Sequence, residues 1–166
     1  MNMIGNLIYD YCRELFYINR SITGNGVRET LKSISKKVDN FQIREVSSGT
    51  KCFDWVVPEE WNVKDAFVKD EKENKIIDFK ENNIHLMGYS KPIDKVISYD
   101  ELINKLYTLP RFPNAIPYIT SYYKKDWGFC VTENQKNNLK NQNYHVKIDS
   151  SFSNGSLSYG EVLIKG

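Results

Sequence analysis

Apolar residues recur at the helical interval in the first stretch of the chain. Ile4, Leu7, Ile8, Tyr11, Leu15 and Phe16 are spaced by Asp10, Arg13 and Glu14. That period predicts an amphipathic helix, ended after Asn19-Arg20 by the turn residues Ser21-Ile22-Thr23-Gly24-Asn25-Gly26. A second helix follows, with Val27, Leu31, Ile34 and Val38 on one face. From Phe41 the period drops to two. Phe41, Ile43 and Val46 alternate with polar neighbours, Ser47-Ser48-Gly49-Thr50 turns the chain, and Phe53, Trp55 and Val57 alternate again up to Pro58. This pattern predicts a β-hairpin. Short strands at Ala66-Phe67-Val68, Ile76-Ile77-Asp78-Phe79 and Ile84-His85-Leu86-Met87 lie between polar turns. They predict an antiparallel β-module over residues 47–97, a small sandwich or partial barrel.

The second half opens on a capping box, Ser98-Tyr99-Asp100-Glu101, in which the hydroxyl accepts from the third helical amide and Glu101 reaches back. A short helix through Leu102, Ile103 and Leu106 is expected, before Pro110, Pro113 and Pro117 stiffen the connection. After an aromatic stretch, Tyr118 to Tyr123 and Trp127 to Val131, a second box at Thr132-Glu133-Asn134-Gln135 starts a polar helix to about Lys140. Tyr144-His145-Val146-Lys147-Ile148 alternates as a strand, Ser153-Asn154-Gly155 turns, and a last strand runs from Tyr159 to Ile164. Val162-Leu163-Ile164 is apolar on both faces, as in a strand inside a sheet, two residues before Gly166. The expectation is a chain end that falls within a domain.

Composition narrows the class. With 40% hydrophobic and 27% charged residues in 166, the chain can bury one sizeable core or one core and a satellite. The net charge of +2 comes from mixed, scattered charges without a basic stripe, so a nucleic-acid partner is not expected. Met1 to Ile8 has no basic leader, and no apolar run is long enough for a bilayer, which makes the cytoplasm the expected location and excludes a membrane partner. Cys12, Cys52 and Cys130 are too sparse for a disulfide framework or a cysteine zinc site and read as buried, reduced thiols.

Several strings approach a chemical motif and miss it. Gly24-Asn25-Gly26-Val27-Arg28-Glu29 follows a helix, not a strand, and Glu29 stands where a dinucleotide fingerprint needs Gly or Ala. Arg20, Thr23, Asn25 and Arg28 then have two readings: a capped helix–helix connection, or an anion pocket built from guanidinium groups and helix amides. Gly155-Ser156-Leu157-Ser158-Tyr159-Gly160 has one residue too many for a nucleophile elbow and sits in an expected hairpin. His85 and His145 fall on separate expected strands without a metal-binding context, so no catalytic and no metal-ligating residue is assigned. Trp55 reads as core. Tyr122, Tyr123 and Trp127 read either as packing or as a face for a sugar or peptide.

Longer strings resemble one family. They are Arg20-Ser21-Ile22-Thr23-Gly24-Asn25-Gly26-Val27-Arg28-Glu29-Thr30-Leu31, Ser48-Gly49-Thr50 with Phe53-Asp54-Trp55, and Val57-Pro58-Glu59-Glu60-Trp61-Asn62-Val63. Leu106-Tyr107-Thr108-Leu109-Pro110, Ile116-Pro117-Tyr118-Ile119-Thr120-Ser121-Tyr122-Tyr123, Trp127-Gly128-Phe129-Cys130 and Gly155 to Glu161 complete the set. In order and spacing they resemble the bacterial proteins with an aminopeptidase-like domain, in which a co-catalytic zinc exopeptidase fold carries an inserted domain of unknown function.

The resemblance implies an α+β fold. Residues 1–46 and 98–166 would be the front part of an incomplete zinc-exopeptidase-like domain, with two N-terminal helices and C-terminal antiparallel strands. Residues 47–97 would be the inserted β-module. It implies the N-terminal portion of a zinc metallohydrolase of peptides or amides, linked to surface-polysaccharide biosynthesis. Zinc is expected only in the complete family member, whose ligands begin with a His-Pro-Ser string absent here, and the chain alone is expected to be inactive. The expected partner is the missing C-terminal catalytic region. The competing expectation is a non-catalytic module that binds a glycan or peptide.

Overall fold

A computed structural model describes residues 3–165. Met1 and Asn2, the first two residues of the stretch in which no leader is expected, and Gly166 lie outside the described residues. The elements are α1 (Met3–Phe16), α2 (Asn25–Ser35), β1 (Gln42–Ser47), β2 (Lys51–Cys52), β3 (Trp55–Val56), β4 (Glu60–Lys69) and β5 (Lys75–Asp78). A 3₁₀ turn at Asn83–His85 precedes β6 (Ile93–Ile97), α3 (Tyr99–Ile103), β7 (Leu106–Tyr107) and β8 (Phe129–Cys130). Last come α4 (Glu133–Asn137), β9 (Tyr144–Ser153) and β10 (Ser156–Glu161). The fold is mixed α+β, in small sheets. Two compact units divide it: unit 1 from residues 3–62 and 152–165, unit 2 from Val63–Ser151.

In unit 1 the two helices form as their apolar periods require, although α2 stops at Ser35 and Val38 lies beyond it, exposed. Arg20 closes α1 by donating from Nη1 to the carbonyls of Leu15 (2.7 Å) and Ile18 (3.3 Å), groups that a helix end leaves unsatisfied. Glu14 accepts from Ser33 and Lys37, tying α1 to α2 and its exit. The expected hairpin between the Phe41 and Phe53 stretches does not form. β1 instead pairs antiparallel with β10, Gln42 opposite Glu161 through Ser47 opposite Ser156, while β2 and β3 make a miniature hairpin of their own. Alternation revealed the strands but not the partner, which lies more than a hundred residues away. The last strand starts and ends earlier than expected; Val162, Leu163 and Ile164 lie outside it and are exposed.

In unit 2 the main sheet has the order β5-β4-β9-β6. β4 pairs antiparallel with β5 and β6 with β9, Ile93 opposite Ile148 through Ile97 opposite Tyr144. Tyr144, Val146, Ile148 and Ser150 alternate inward along β9, the half-buried pattern read from the sequence. The expected module over 47–97 and unit 2 differ in extent because β6 takes its partner from β9: this sheet needs residues far beyond 97. The stretch at Ile84 is not a strand but the 3₁₀ turn, set by Asn82, whose side chain accepts from the Ile84 amide. Leu106 is likewise not helical: α3 ends at Ile103, and β7 pairs in parallel with β8. Ser98 caps α3 as expected, but Glu101 pairs with Lys95. Thr132 and Gln135 form the full capping box of α4.

Interior packing is unequal between the units. Among the described residues, the buried apolar side chains of unit 1 are Leu31, Val57 and Trp61; all others, from Ala66 to Ile148, belong to unit 2. Of the three thiols, Cys130 is buried and its pKa is pushed up to about 11 by that burial, whereas Cys12 and Cys52 are exposed, which corrects the expectation that all three are buried. Iodoacetamide at neutral pH should therefore modify Cys12 and Cys52 and spare Cys130 until the chain unfolds, a difference that peptide mass spectrometry reads directly.

Candidate functional site

The first group of candidate residues meets in unit 1 at the start of α2. Gly24 precedes the helix with φ of 90° and offers no side-chain cap; the Asn25 amide donates instead to Asn62 Oδ1 on β4 at 2.8 Å. Glycine is needed here twice over, since the conformation is left-handed and a Cβ would come within 2.2 Å of the Trp61 carbonyl oxygen. Thr23 is buried and its hydroxyl accepts from the Trp61 amide at 3.1 Å. Arg28, one turn into α2, faces Glu60 with both terminal nitrogens: Nη1 donates to Oε1 at 2.8 Å and Nη2 donates to Oε2. Its Nε donates to Glu45 Oε1 of β1 at 3.1 Å.

This fork-to-carboxylate geometry is the strong form of an ion pair. Glu60 is 9% exposed, and its carboxyl pKa falls to about 2, first through the Arg28 hydrogen bonds and then through Asn62 and the Ser156 amide, against the opposing cost of burial. The carboxylate that faces Arg28 thus belongs to the chain itself. Arg20 points away from this cluster, onto the carbonyls of α1. Thr23, Asn25 and Arg28 are brought together; Arg20 is not. Glu60, Asn62 and Ser156, which complete the cluster, carried no periodic signal in the sequence.

The second group lies in unit 2. The Tyr122 ring lies 4.3 Å from that of Tyr123, tilted by 45°, and makes an edge contact of 5.8 Å with the buried Tyr89. Tyr123 is exposed. Trp127 is buried, 5.5 Å below the Lys105 ammonium, which itself pairs with Asp126 at 2.6 Å. The histidines are also in unit 2. Buried His85 donates from Nδ1 to the Cys130 carbonyl at 2.7 Å, and His145 Nε2 meets Asp94 Oδ1 at 2.7 Å. Among the described residues no three His, Cys, Asp or Glu side chains are placed to hold a metal ion, so the residues present do not fit a zinc centre. No helix among them is long and apolar enough to cross a membrane.

Two adjoining cavities in unit 2 were not foreseen. One, of about 290 Å³, is lined by Asp70, Lys72, Asn74, Ile76, Asn138, Leu139, Lys140, Gln142 and Tyr144. The other, of about 240 Å³, shares Ile76, Asn138 and Leu139 and adds Ile77, Leu106, Val131, Gln135 and Lys136. β5 and the segment after α4 form their walls, and neither stretch holds a motif.

A mixed α+β chain in which one compact body is inserted between the two parts of another defines the class. The chain belongs to the family described as Domain of unknown function (DUF2172), whose profile matches residues 60–151, all of unit 2 and the three residues before it. It is 54% identical over 162 residues to a protein of Clostridium acetobutylicum named "Putative polysaccharide biosynthesis protein with aminopeptidase-like domain", covering 98% of this chain and 37% of that one. A crystal structure described as that of a "putative peptidase" from the same organism matches with a TM-score of 0.89 at 54% identity, over 95% of this chain and 37% of that chain. The aminopeptidase-like likeness carried by the strings from Arg20 to Glu161 is thus met in the relative's own name. This chain spans little more than a third of the length of the relatives it matches.

Proposed function

We propose that this chain is the front part of an aminopeptidase-like zinc hydrolase of peptide or amide bonds, working in the cytoplasm in surface-polysaccharide biosynthesis. What carries the reading is the 54% identity across 98% of the chain to a protein named for both polysaccharide biosynthesis and an aminopeptidase-like domain. The residues present contribute scaffold: the Arg28–Glu60 pair joins α2 to β4, and the buried side chains of unit 2 hold its sheet. A zinc ion, if held elsewhere in a family-length protein, would supply carbonyl polarisation and water activation there. On this reading its ligands belong to the part of a family-length protein that this chain does not contain. Purified 166-residue chain should show no chelator-sensitive release of product from aminoacyl anilides, while the full-length Clostridium relative should turn them over. Zinc-dependent turnover by the short chain would refute the division of labour.

A second reading, a binding module for a glycan or peptide, draws on the paired cavities. The wall they share is Ile76, Asn138 and Leu139, and the larger cavity adds Lys72 and Lys140 beside Asp70, whose charge Lys72 already favours. Amides such as Asn138 suit sugar hydroxyls, and ammonium groups suit an acidic sugar or a peptide carboxylate. Shifts of the Ile76 and Leu139 methyl resonances on titration with uronic-acid oligosaccharides or short peptides would support it. Unmoved resonances with both classes would remove it.

A further inference from the structure

The two cavities of unit 2 differ in what they leave free for a ligand. In the smaller one the polar side chains are already committed. Gln135 Oε1 accepts from the Thr132 amide at 2.9 Å in the capping box of α4, and Lys136 Nζ reaches the Leu106 carbonyl at 3.5 Å. The rest of its lining is apolar apart from the shared Asn138: Ile77, Leu106 and Val131, all buried, with Ile76 and Leu139. In the larger cavity Asp70 is occupied by its own turn. It accepts from the Lys72 and Asn74 amides at 2.9 Å and from Asn74 Nδ2 at 3.1 Å. The ammonium groups of Lys72 and Lys140 outnumber that one carboxylate, and Asn138, Gln142 and the Tyr144 hydroxyl add neutral donors and acceptors.

The walls are tied together by the chain itself. Glu71 accepts from the Asn143 amide at 3.2 Å, joining the turn between β4 and β5 to the segment after α4. The Tyr144 hydroxyl donates to the Lys140 carbonyl at 2.6 Å. Size then argues for one site. Small-molecule sites commonly hold about 300–1,000 Å³. At about 290 and 240 Å³ each cavity alone falls short of that range, and the two joined across Ile76, Asn138 and Leu139 fall inside it.

We propose that the two cavities form a single site for an amphipathic glycoside, its acidic sugar in the larger cavity and its short apolar chain in the smaller. A carboxylate answers the excess of ammonium groups, and several hydroxyls answer the carboxamides and Tyr144, more than the head of an acylated amino acid would supply. The apolar chain is what the smaller lining can bury. The proposal rests on the second reading above, in which unit 2 is a binding module, and narrows it to one class of ligand.

Titration calorimetry on the 166-residue chain tests it, with methyl, butyl, hexyl and octyl β-glucuronides kept below the concentration at which they form micelles. Affinity should rise about fourfold for each methylene buried, up to the ceiling set by the smaller cavity. Leu139→Trp, at a half-buried side chain beyond the end of α4, narrows that cavity and should flatten the rise. Lys140→Gln should weaken octyl glucuronide about two- to fivefold and leave octyl glucoside, which lacks the carboxylate, unchanged. An affinity independent of chain length would overturn the proposal, and the parent chain alone gives that result. So would a rise that persists undiminished in Leu139→Trp, or tighter binding of octanoylglycine than of octyl glucuronide. Binding of methyl glucuronide without any gain from longer chains removes the amphipathic ligand and leaves the binding module standing. Silence of the whole series, with short peptides silent as well, removes both.

Discussion

Arg28→Ala is expected to destabilise unit 1 by about 2–3 kcal/mol, somewhat below the cost of breaking a fully buried ion pair because a quarter of the Arg28 side chain stays in water. The cost comes less from the attraction lost than from what remains. Glu60, with 11% of its side chain exposed, would keep only Asn62 and the Ser156 amide, at 3.2 and 3.4 Å, to stabilise its charge. Arg28→Lys should recover part of the loss, since it restores the charge but not the fork. Acid acts on the same pair. The Glu60 carboxyl has its pKa lowered from 4.5 to about 2 on folding, so its contribution is complete above 4.5 and is lost as the pH falls through 2. Hydrogen exchange at the amides of Trp61 and Ser156 should therefore accelerate between pH 4.5 and 2 beyond its intrinsic pH dependence in the parent chain. In Arg28→Ala that excess should largely vanish. Equal profiles in the two chains would mean that the pair does not hold unit 1 together.

Local structure was legible in the sequence wherever one residue's chemistry decides it. Ser98 and Thr132 cap α3 and α4 as their strings foretold, because the capping hydroxyl and its target amide are three residues apart. The alternation at 144–148 became the inner half of β9, because period two fixes which side chains face inward. Pairing was not legible. Phe41 to Val46 reads equally well as a partner for the next strand or for one far away, and the outcome turned on β10. The 3₁₀ turn at Ile84 was hidden by its apolar neighbours Leu86 and Met87, which are buried as a strand's would be while the backbone is set by Asn82.

The candidate site was half legible for a related reason. Thr23, Asn25 and Arg28 stand close together in the sequence, and turn chemistry marks them. Their partners Glu60 and Asn62 arrive from β4, and the two glutamates, at 59 and 60, look alike in the sequence; only the direction of the strand's side chains makes Glu60 the buried one. The glycines at 24 and 26, whose string already fails as a dinucleotide fingerprint at Glu29, provide room. A Cβ at Gly26 would sit 1.8 Å from the Asn19 carbonyl oxygen, so the spacing serves the close approach of two chain segments, with no role for a phosphate.

The stability of unit 2 should be most sensitive at Phe129. Its side chain is fully buried, its residue pairs in parallel with Leu106 and bridges to Leu86, and its amide donates to the Lys105 carbonyl at 2.9 Å. β7 on one side of β8 and the bridging Leu86 on the other limit how far the surroundings can collapse into a void. Phe129→Ala should therefore cost about 3–5 kcal/mol, and the roughly volume-conserving Phe129→Leu about 1–1.5 kcal/mol. Val96→Ala, at a side chain 67% exposed on β6, should stay within about 0.5 kcal/mol. Urea denaturation followed by circular dichroism would rank the three, with an unchanged dependence on denaturant showing that the unfolded ensemble is the same. If Phe129→Ala cost no more than Val96→Ala, Phe129 could not be the residue on which the β7–β8 pair and the turn at Leu86 close, and the interior of unit 2 would have to be placed elsewhere.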